Sequence, residues 1–234
     1  MPHQTRPADN ALLQVLPAEA RARVFPQLEL VHLTLGEVLC EAGNPFTHAY
    51  FPVDAIVSIL YVMHNAESAE IALVGKEGMI GVPLFMGGDS TSSRAIVQNA
   101  GDAYRLKAQD LKDEFCNGGA LQKILLRFAQ ALITQMVQTA ACNRHHSVDQ
   151  QLCRWLLLSL DRLPSNHLKM TQRLIGNMLG IGGAGVKAAA AVLKRAGLID
   201  YDRGEITVLS RVGIMRRSCE CYGVVKEECD RLFS

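Results

Sequence analysis

Apolar positions change their period twice along the chain. From Leu12 to about Leu30 they recur at helical spacing (Leu12, Leu13, Val15, Leu16, then Ala20, Val24 and Leu28), which predicts one or two short helices. From Val31 to Leu106 short apolar or alternating runs take over, at 32–35, 37–40, 56–62, 71–74, 94–98 and 103–106. Gly36, Gly43-Asn44-Pro45, His64-Asn65 and Gly87-Gly88-Asp89 punctuate them. Short strands at such spacing predict an antiparallel, jelly-roll-like β-roll. From Gly119 to about Asn143 the helical period returns without a breaker. Leu121, Leu125, Phe128, Leu132, Gln135 and Thr139 form a stripe that steps by alternating fours and threes, with Ile124 and Ala131 beside it. Such a stripe predicts a dimer seam; packing of the helix on its own roll is the competing expectation.

A second helix is expected over Val148–Leu163, ended by Pro164-Ser165-Asn166. His167–Met170 reads as a short strand, and Thr171 as the N-cap of a helix from Gln172 to Leu179. Val186–Ala196 is strongly helix-prone. Beyond it, Leu198–Leu209 is apolar, turn, apolar: a hairpin with Asp202-Arg203-Gly204 at its tip.

The glycines between those two helices have two incompatible readings. Gly180, Gly182 and Gly185 fit G-x-G-x-x-G, the phosphate-gripping turn of a dinucleotide-binding enzyme, and Asp200 and Asp202 follow at about the ribose distance. That fingerprint requires a strand before it and most of a parallel sheet after it. Here Leu174, Ile175, Met178 and Leu179 repeat at helical spacing, and too little chain follows for further βαβ units. In the other reading the glycines form the turn of a helix-turn-helix, with the hairpin as its wing. Val186, Ala190 and Leu193 then face inward opposite Ile175 and Met178 or Leu179, and Gly176 lets the helices approach.

Charge favours the second reading. The formal net charge is only +1. Yet Met1–Asn143 carries ten basic against fourteen acidic residues, and Arg144–Arg217 twelve against five. A basic module after an acidic one is suited to a polyanion. The chain has room for two modest domains or one large one. No apolar run is long enough to span a bilayer, so no membrane partner is expected. Seven scattered cysteines fit reduced thiols in a cytoplasm better than a disulfide framework.

The whole pattern resembles the Crp/Fnr family of bacterial transcription regulators. The resemblance rests on element order and on local text. Thr171–Gly180, Val186 and Lys194-Arg195-Ala196-Gly197-Leu198-Ile199 look like that family's DNA-binding signature. Gly78-Met79-Ile80-Gly81-Val82-Pro83-Leu84-Phe85 and Ser93-Arg94-Ala95 look like the two ends of its effector cassette. The resemblance implies an α+β chain in three parts: an effector-sensing β-roll (1–118), a dimerisation helix (119–145) and a winged helix-turn-helix with a C-terminal tail (146–234). It implies double-stranded DNA and a second copy of the chain as partners, with RNA polymerase a further candidate. The effector and any cofactor are unknown, and no enzymatic activity is expected.

The DNA-facing residues implied are Thr171, Gln172, Arg173, Gly182, Gly183, Ala184, Gly185, Lys187, Ala188, Lys194 and wing Arg203. The effector pocket implied is Gly78, Gly81, Val82, Pro83, Leu84, Arg94 and Ala95. The dimer helix is expected to present Leu121, Leu125, Phe128, Leu132 and Gln135.

The chain also departs from the family. Members that bind cyclic AMP hold the ribose with a Gly-Glu pair and the phosphate with Arg-Ser or Arg-Thr. Here Val82 and Pro83 follow Gly81, and Ala95 follows Arg94. Arg94 is then as easily explained by an ion pair with Glu77 or Asp89. Where the family presents base-reading Arg and Glu side chains, this chain has Gly183, Ala184 and Ala188, with Ala191 a turn beyond. Ala can touch a thymine methyl and little else. Bare amides at the helix start remain able to hold a phosphate. Two readings therefore stay open: DNA bound by charge and shape, or a dimeric effector-binding protein that has lost sequence-specific DNA binding.

Other chemistry is sparse. A single N-terminal cysteine, Cys40, argues against an iron–sulfur cluster. His32, His48 and His64 are isolated haem candidates on strands. No H-x-H strand motif for a cupin metal occurs, and no catalytic residues are assigned. Cys219-Glu220-Cys221 with Cys229 is weak as a metal or redox motif and is expected to be a structural tail, with no metal site.

Overall fold

The computed structural model describes residues 5–64 and 67–234, so the expected turn at His64-Asn65 lies partly outside the described residues. The chain runs through α1 (Ala11–Gln14), α2 (Ala18–Val24), β1 (Glu29–Leu33), β2 (Val38–Cys40), β3 (His48–Pro52), β4 (Ile56–Val62) and β5 (Ser68–Val74). It continues through α3 (Pro83–Met86), β6 (Ser93–Asn99), β7 (Gly101–Lys107), α4 (Ala108–Cys116) and α5 (Ala120–His145). The remainder is α6 (Val148–Leu160), β8 (His167–Lys169), α7 (Gln172–Leu179), α8 (Gly183–Arg195), β9 (Ile199–Asp202), β10 (Glu205–Val208), α9 (Arg211–Arg217) and α10 (Cys221–Arg231).

The roll is built from antiparallel strands in the orders β1-β7-β3 and β2-β6-β4-β5. Its N-terminal helices are anchored by Asn10, which is fully buried. The Asn10 carbonyl oxygen of the side chain accepts from the Leu12 and Leu13 amides at 3.1 and 3.3 Å. Its amide donates to the backbone carbonyls of Pro52 and Gly78 at 2.8 and 2.9 Å. A buried side chain amide satisfied on both sides orients the helix start and avoids a desolvation penalty of about 1–3 kcal/mol.

By compactness the chain forms two units. One comprises the chain up to Ile59, Val74–Ile133 and Cys229–Ser234; the other comprises Leu60–Leu73 and Thr134–Glu228. This division cuts α5 in the middle, whereas the junctions expected from the sequence follow its two ends. No described helix is long and apolar enough to cross a membrane.

Helix α5 corrects the expected seam. Leu121, Leu125, Phe128, Leu132 and Gln135 are all buried within the single chain. The Phe128 ring packs on Gly78, where an added Cβ would lie 2.4 Å from the ring. The Gln135 amide donates to the Leu73 carbonyl at 3.0 Å and accepts from the Leu73 amide at 3.3 Å. That pair mimics a strand ladder on β5, the outermost strand of its sheet. The other face of α5 is the one left open: Leu126, Ile133 and Val137 are 51%, 54% and 59% exposed.

Candidate DNA interface and effector pocket

Thr171 accepts a hydrogen bond from the Leu174 amide at 3.3 Å and caps α7 where expected. Gly180 takes the left-handed conformation (φ 65°) and ends the helix. The Ile181 amide then donates back to the Gly176 carbonyl at 2.9 Å. Gly182 caps α8 with extended backbone. The two helices cross at 109°, within the range of helix-turn-helix motifs. Ile175, Met178 and Leu179 of α7 and Val186, Ala189, Ala190 and Leu193 of α8 are buried.

Gly176 is the tight point of this turn. A Cβ there would sit 2.8 Å from the Ile181 carbonyl oxygen and 3.2 Å from the Gly183 amide. Gly185 has ordinary space, with Ile181 Cδ1 at 3.8 Å. Gly176→Ala is therefore expected to destabilise the fold by about 1–3 kcal/mol, through overpacking. Gly185→Ala is expected to stabilise it by up to ~1 kcal/mol, through helix propensity. Urea titration of the two variants should move the midpoints in opposite directions.

The outward face of α8 exposes Gly183, Ala184, Lys187, Ala188, Ala191, Lys194 and Arg195. Its leading half is thus small and apolar except for Lys187. Lys194 is tied back to the wing: its ammonium lies 2.7 Å from Asp200 and donates to the Tyr201 carbonyl at 3.3 Å. The hydrogen bond to Asp200 raises the Lys194 pKa and lowers that of Asp200. In the wing, β9 and β10 pair antiparallel from Ile199 opposite Val208 to Asp202 opposite Glu205. Arg203 and Gly204 turn between them with φ 47° and 86°, the two positive values of a type I′ hairpin. The Arg203 side chain is 91% exposed at the tip. Tyr201 fixes the wing by donating to the Met170 carbonyl at 2.9 Å. Arg173 is exposed and Gln172 partly so at the start of α7.

In the roll, Gly81 is buried with φ 111°, and an added Cβ would meet the Ala49 backbone at 3.2 Å. Val82 and Pro83 start the single turn of α3, whose Leu84 is buried. Ala95 is buried opposite Cys40. Arg94 donates to Glu41 at 2.7 Å, not to Glu77 or Asp89. Asp89 pairs with Lys112 at 2.6 Å, and Glu77 accepts from the Gly75 amide at 3.2 Å. The Arg94–Glu41 pair is about two-fifths exposed and is worth under ~1 kcal/mol, so an anion can compete for the arginine. Gly78 faces Phe128, which removes it from any ligand surface. Of the haem candidates, His32 is paired with Asp102 at 2.8 Å and His48 with Thr47 at 3.0 Å.

Sequence reasoning missed one group of residues. Cys142, His146, Cys219 and Cys221 place one ligand atom each within 4.8 Å of one another. The spacing Cys142-x-x-x-His146 at the end of a helix was the available signal, since residues four apart share a face.

Comparisons place this geometry among known proteins. Residues 30–116 match the family model of the cyclic nucleotide-binding domain, and residues 150–217 that of the Crp-like helix-turn-helix domain. No curated protein matches the chain. Among solved structures, a candidate transcriptional regulator of the Crp/Fnr family from Eubacterium rectale superposes with TM-score 0.70 at 14% identity, covering 89% of this chain and 98% of that one. FixK2 from Bradyrhizobium japonicum gives 0.69 at 15% identity, covering 82% and 98%. The c-di-GMP-responsive global regulator CLP from Xanthomonas campestris gives 0.63 at 13% identity, covering 83% and 100%. With a cyclic nucleotide-binding-type roll, a long helix and a Crp-like helix-turn-helix in that order, the chain belongs to the Crp/Fnr family of transcription regulators.

Proposed function

We propose that the protein works as a homodimer that holds double-stranded DNA mainly by charge, shape and backbone amides, with little direct reading of bases. The observation that carries this reading is the outward face of α8. Gly183, Ala184, Ala188 and Ala191 stand where base-reading side chains are needed, and none can donate or accept through its side chain. Arg173, Lys187, Arg195 and Arg203 are exposed and supply phosphate contacts. The free amides at the start of α8 add a phosphate site.

The homodimer reading rests on the open face of α5. Leu126, Gln130, Ile133, Val137 and Ala140 are exposed and advance by alternating fours and threes, the spacing of a coiled-coil seam. In this division of labour the roll answers an effector, α5 joins two chains, and the winged module meets DNA.

For the effector, Arg94 is the only group of the expected pocket with a charge to offer, and the ribose-binding carboxylate of cyclic AMP binders is replaced by Val82 and Pro83. Saturating cyclic AMP is therefore expected to leave the melting temperature unchanged; a rise that Arg94→Ala abolishes contradicts this. CLP is described as c-di-GMP responsive, so a cyclic dinucleotide belongs in the same thermal-shift series.

Gel shifts on genomic fragments at low and physiological salt test the DNA-binding reading. Retardation at low salt, weakening as salt rises, supports it. No retardation at either salt favours the second reading, a dimeric effector-binding protein without DNA binding, which the loss of side chains on α8 also motivates.

A further inference from the structure

We propose that Cys142, His146, Cys219 and Cys221 form a closed tetrahedral Cys3His site for a thiophilic divalent cation, zinc above all, that fastens the α9–α10 corner to the end of α5. The four ligands come from two short pieces of chain. Cys142 lies in the last turn of α5, and the His146 amide closes onto its carbonyl at 3.0 Å, so both side chains leave one face. Cys219 and Cys221 bracket the corner between α9 and α10.

The geometry is close to that of a filled site. Zn–S bonds of about 2.3 Å in a tetrahedron set neighbouring sulfurs ~3.8 Å apart. The Cys142 and Cys219 sulfurs are 3.5 Å apart, and Cys221 Sγ lies 3.6 Å from His146 Nδ1. The three thiols are 0%, 6% and 2% exposed, and the His146 side chain 16%. His146 Nε2, the ring nitrogen turned away from the sulfurs, lies 3.3 Å from Glu220. A carboxylate on the far nitrogen fixes the tautomer of a metal-bound imidazole, which is the usual outer support of such sites.

Charge supports the same assignment. Three thiolates, a neutral imidazole and a dication leave one net negative charge, while the thiol protons leave to solvent. Arg154 is 5% exposed, and its charge acts on both Cys142 and Cys221. Its Nη2 donates to the Thr139 hydroxyl at 2.8 Å, and its Nε has no hydrogen-bond partner among the described residues. A buried cation beside a net-negative metal complex is compensated. A disulfide joining Cys142 to Cys219 is the competing chemistry, and it leaves the His146, Cys221 and Glu220 arrangement without a role.

Cobalt(II) titration of the reduced protein tests the site. The expected result is one Co2+ per chain, with thiolate-to-cobalt charge-transfer absorption and the visible bands of a tetrahedral ion, both displaced by Zn2+. Glu220→Gln is expected to weaken Zn2+ binding by about 10–100-fold, and Cys219→Ser to diminish the charge-transfer band of this site by the share of one thiolate. Cys229→Ser, outside the four, is expected to change neither. Absence of the tetrahedral spectrum in the reduced wild-type protein overturns the proposal without any variant. So does a spectrum unchanged in intensity and position in Cys219→Ser, or a Cys142–Cys219 disulfide in protein that, once reduced, takes up no cobalt.

Discussion

Ile133→Glu is expected to split the protein into folded monomers and to weaken its hold on DNA by about 10²–10⁴-fold, the advantage of two linked modules over one. Ile133 is 54% exposed in the single chain, so glutamate there displaces nothing from the core. In a paired seam the same carboxylate meets its copy across an apolar interface, where burying unpaired charge costs several kcal/mol. Leu126→Glu and Val137→Glu, on the same face, are expected to act alike. Leu125→Glu is the contrasting case. That side chain is fully buried in its own chain, so its replacement is expected to unfold the protein rather than to yield a monomer. Sedimentation velocity with circular dichroism separates these outcomes. A dimer that survives Ile133→Glu places the seam elsewhere.

The second large effect is that of salt. The four exposed basic residues assigned to phosphate contact (Arg173, Lys187, Arg195 and Arg203) give eight in the proposed dimer. Six to ten phosphate contacts correspond to a loss of about 10³–10⁵ in affinity between 50 and 200 mM salt. Lys187→Ala removes two such contacts from a dimer and is expected to reduce the slope of log K against log salt by ~2. The loss is expected to be nearly equal on unrelated sequences, because a phosphate contact carries no base information. Lys194→Ala is expected to do less, since that ammonium already serves Asp200. Fluorescence anisotropy on two unrelated duplexes over a salt series measures slope and uniformity together.

Much of the fold is legible in the sequence where one local cause dominates. Thr171 caps α7, β4 spans Ile56–Val62, and the wing turns at Arg203-Gly204, because a hydroxyl, a β-branched run and a glycine each settle their own neighbourhood. Helix α8 begins at Gly183, earlier than glycine propensity indicates, because Val186 and Leu193 are fully buried and hold it. Strand β3 is missing from the apolar runs because Tyr50, Pro52 and His48 break the apolar pattern, and α4 because its buried positions are few. The α5 stripe shows the limit of periodicity. Spacing identifies an apolar face but not what covers it, and α5 has two such faces. Leu121, Leu125 and Phe128 are buried within the chain, Phe128 against Gly78 of the roll, and the second face appears only once that burial is known. The pocket was legible as text more than as geometry: Gly78 matches the effector cassette, yet the Phe128 ring lies against it. Each half of the four-ligand cluster is a weak signal by itself, Cys142-x-x-x-His146 and Cys219-x-Cys221; the halves lie more than seventy residues apart, and only the fold brings Cys219 to 3.5 Å from Cys142.

Selection of binding sites from a random duplex library by the protein shows whether α8 reads bases or only backbone and shape. A helix face of Gly183, Ala184, Ala188 and Ala191 predicts a shallow consensus, with preferences for deformable or A·T-rich steps and little information at any single G·C pair. A sharp half-site motif centred on guanine, repeated about one helical turn away, contradicts it.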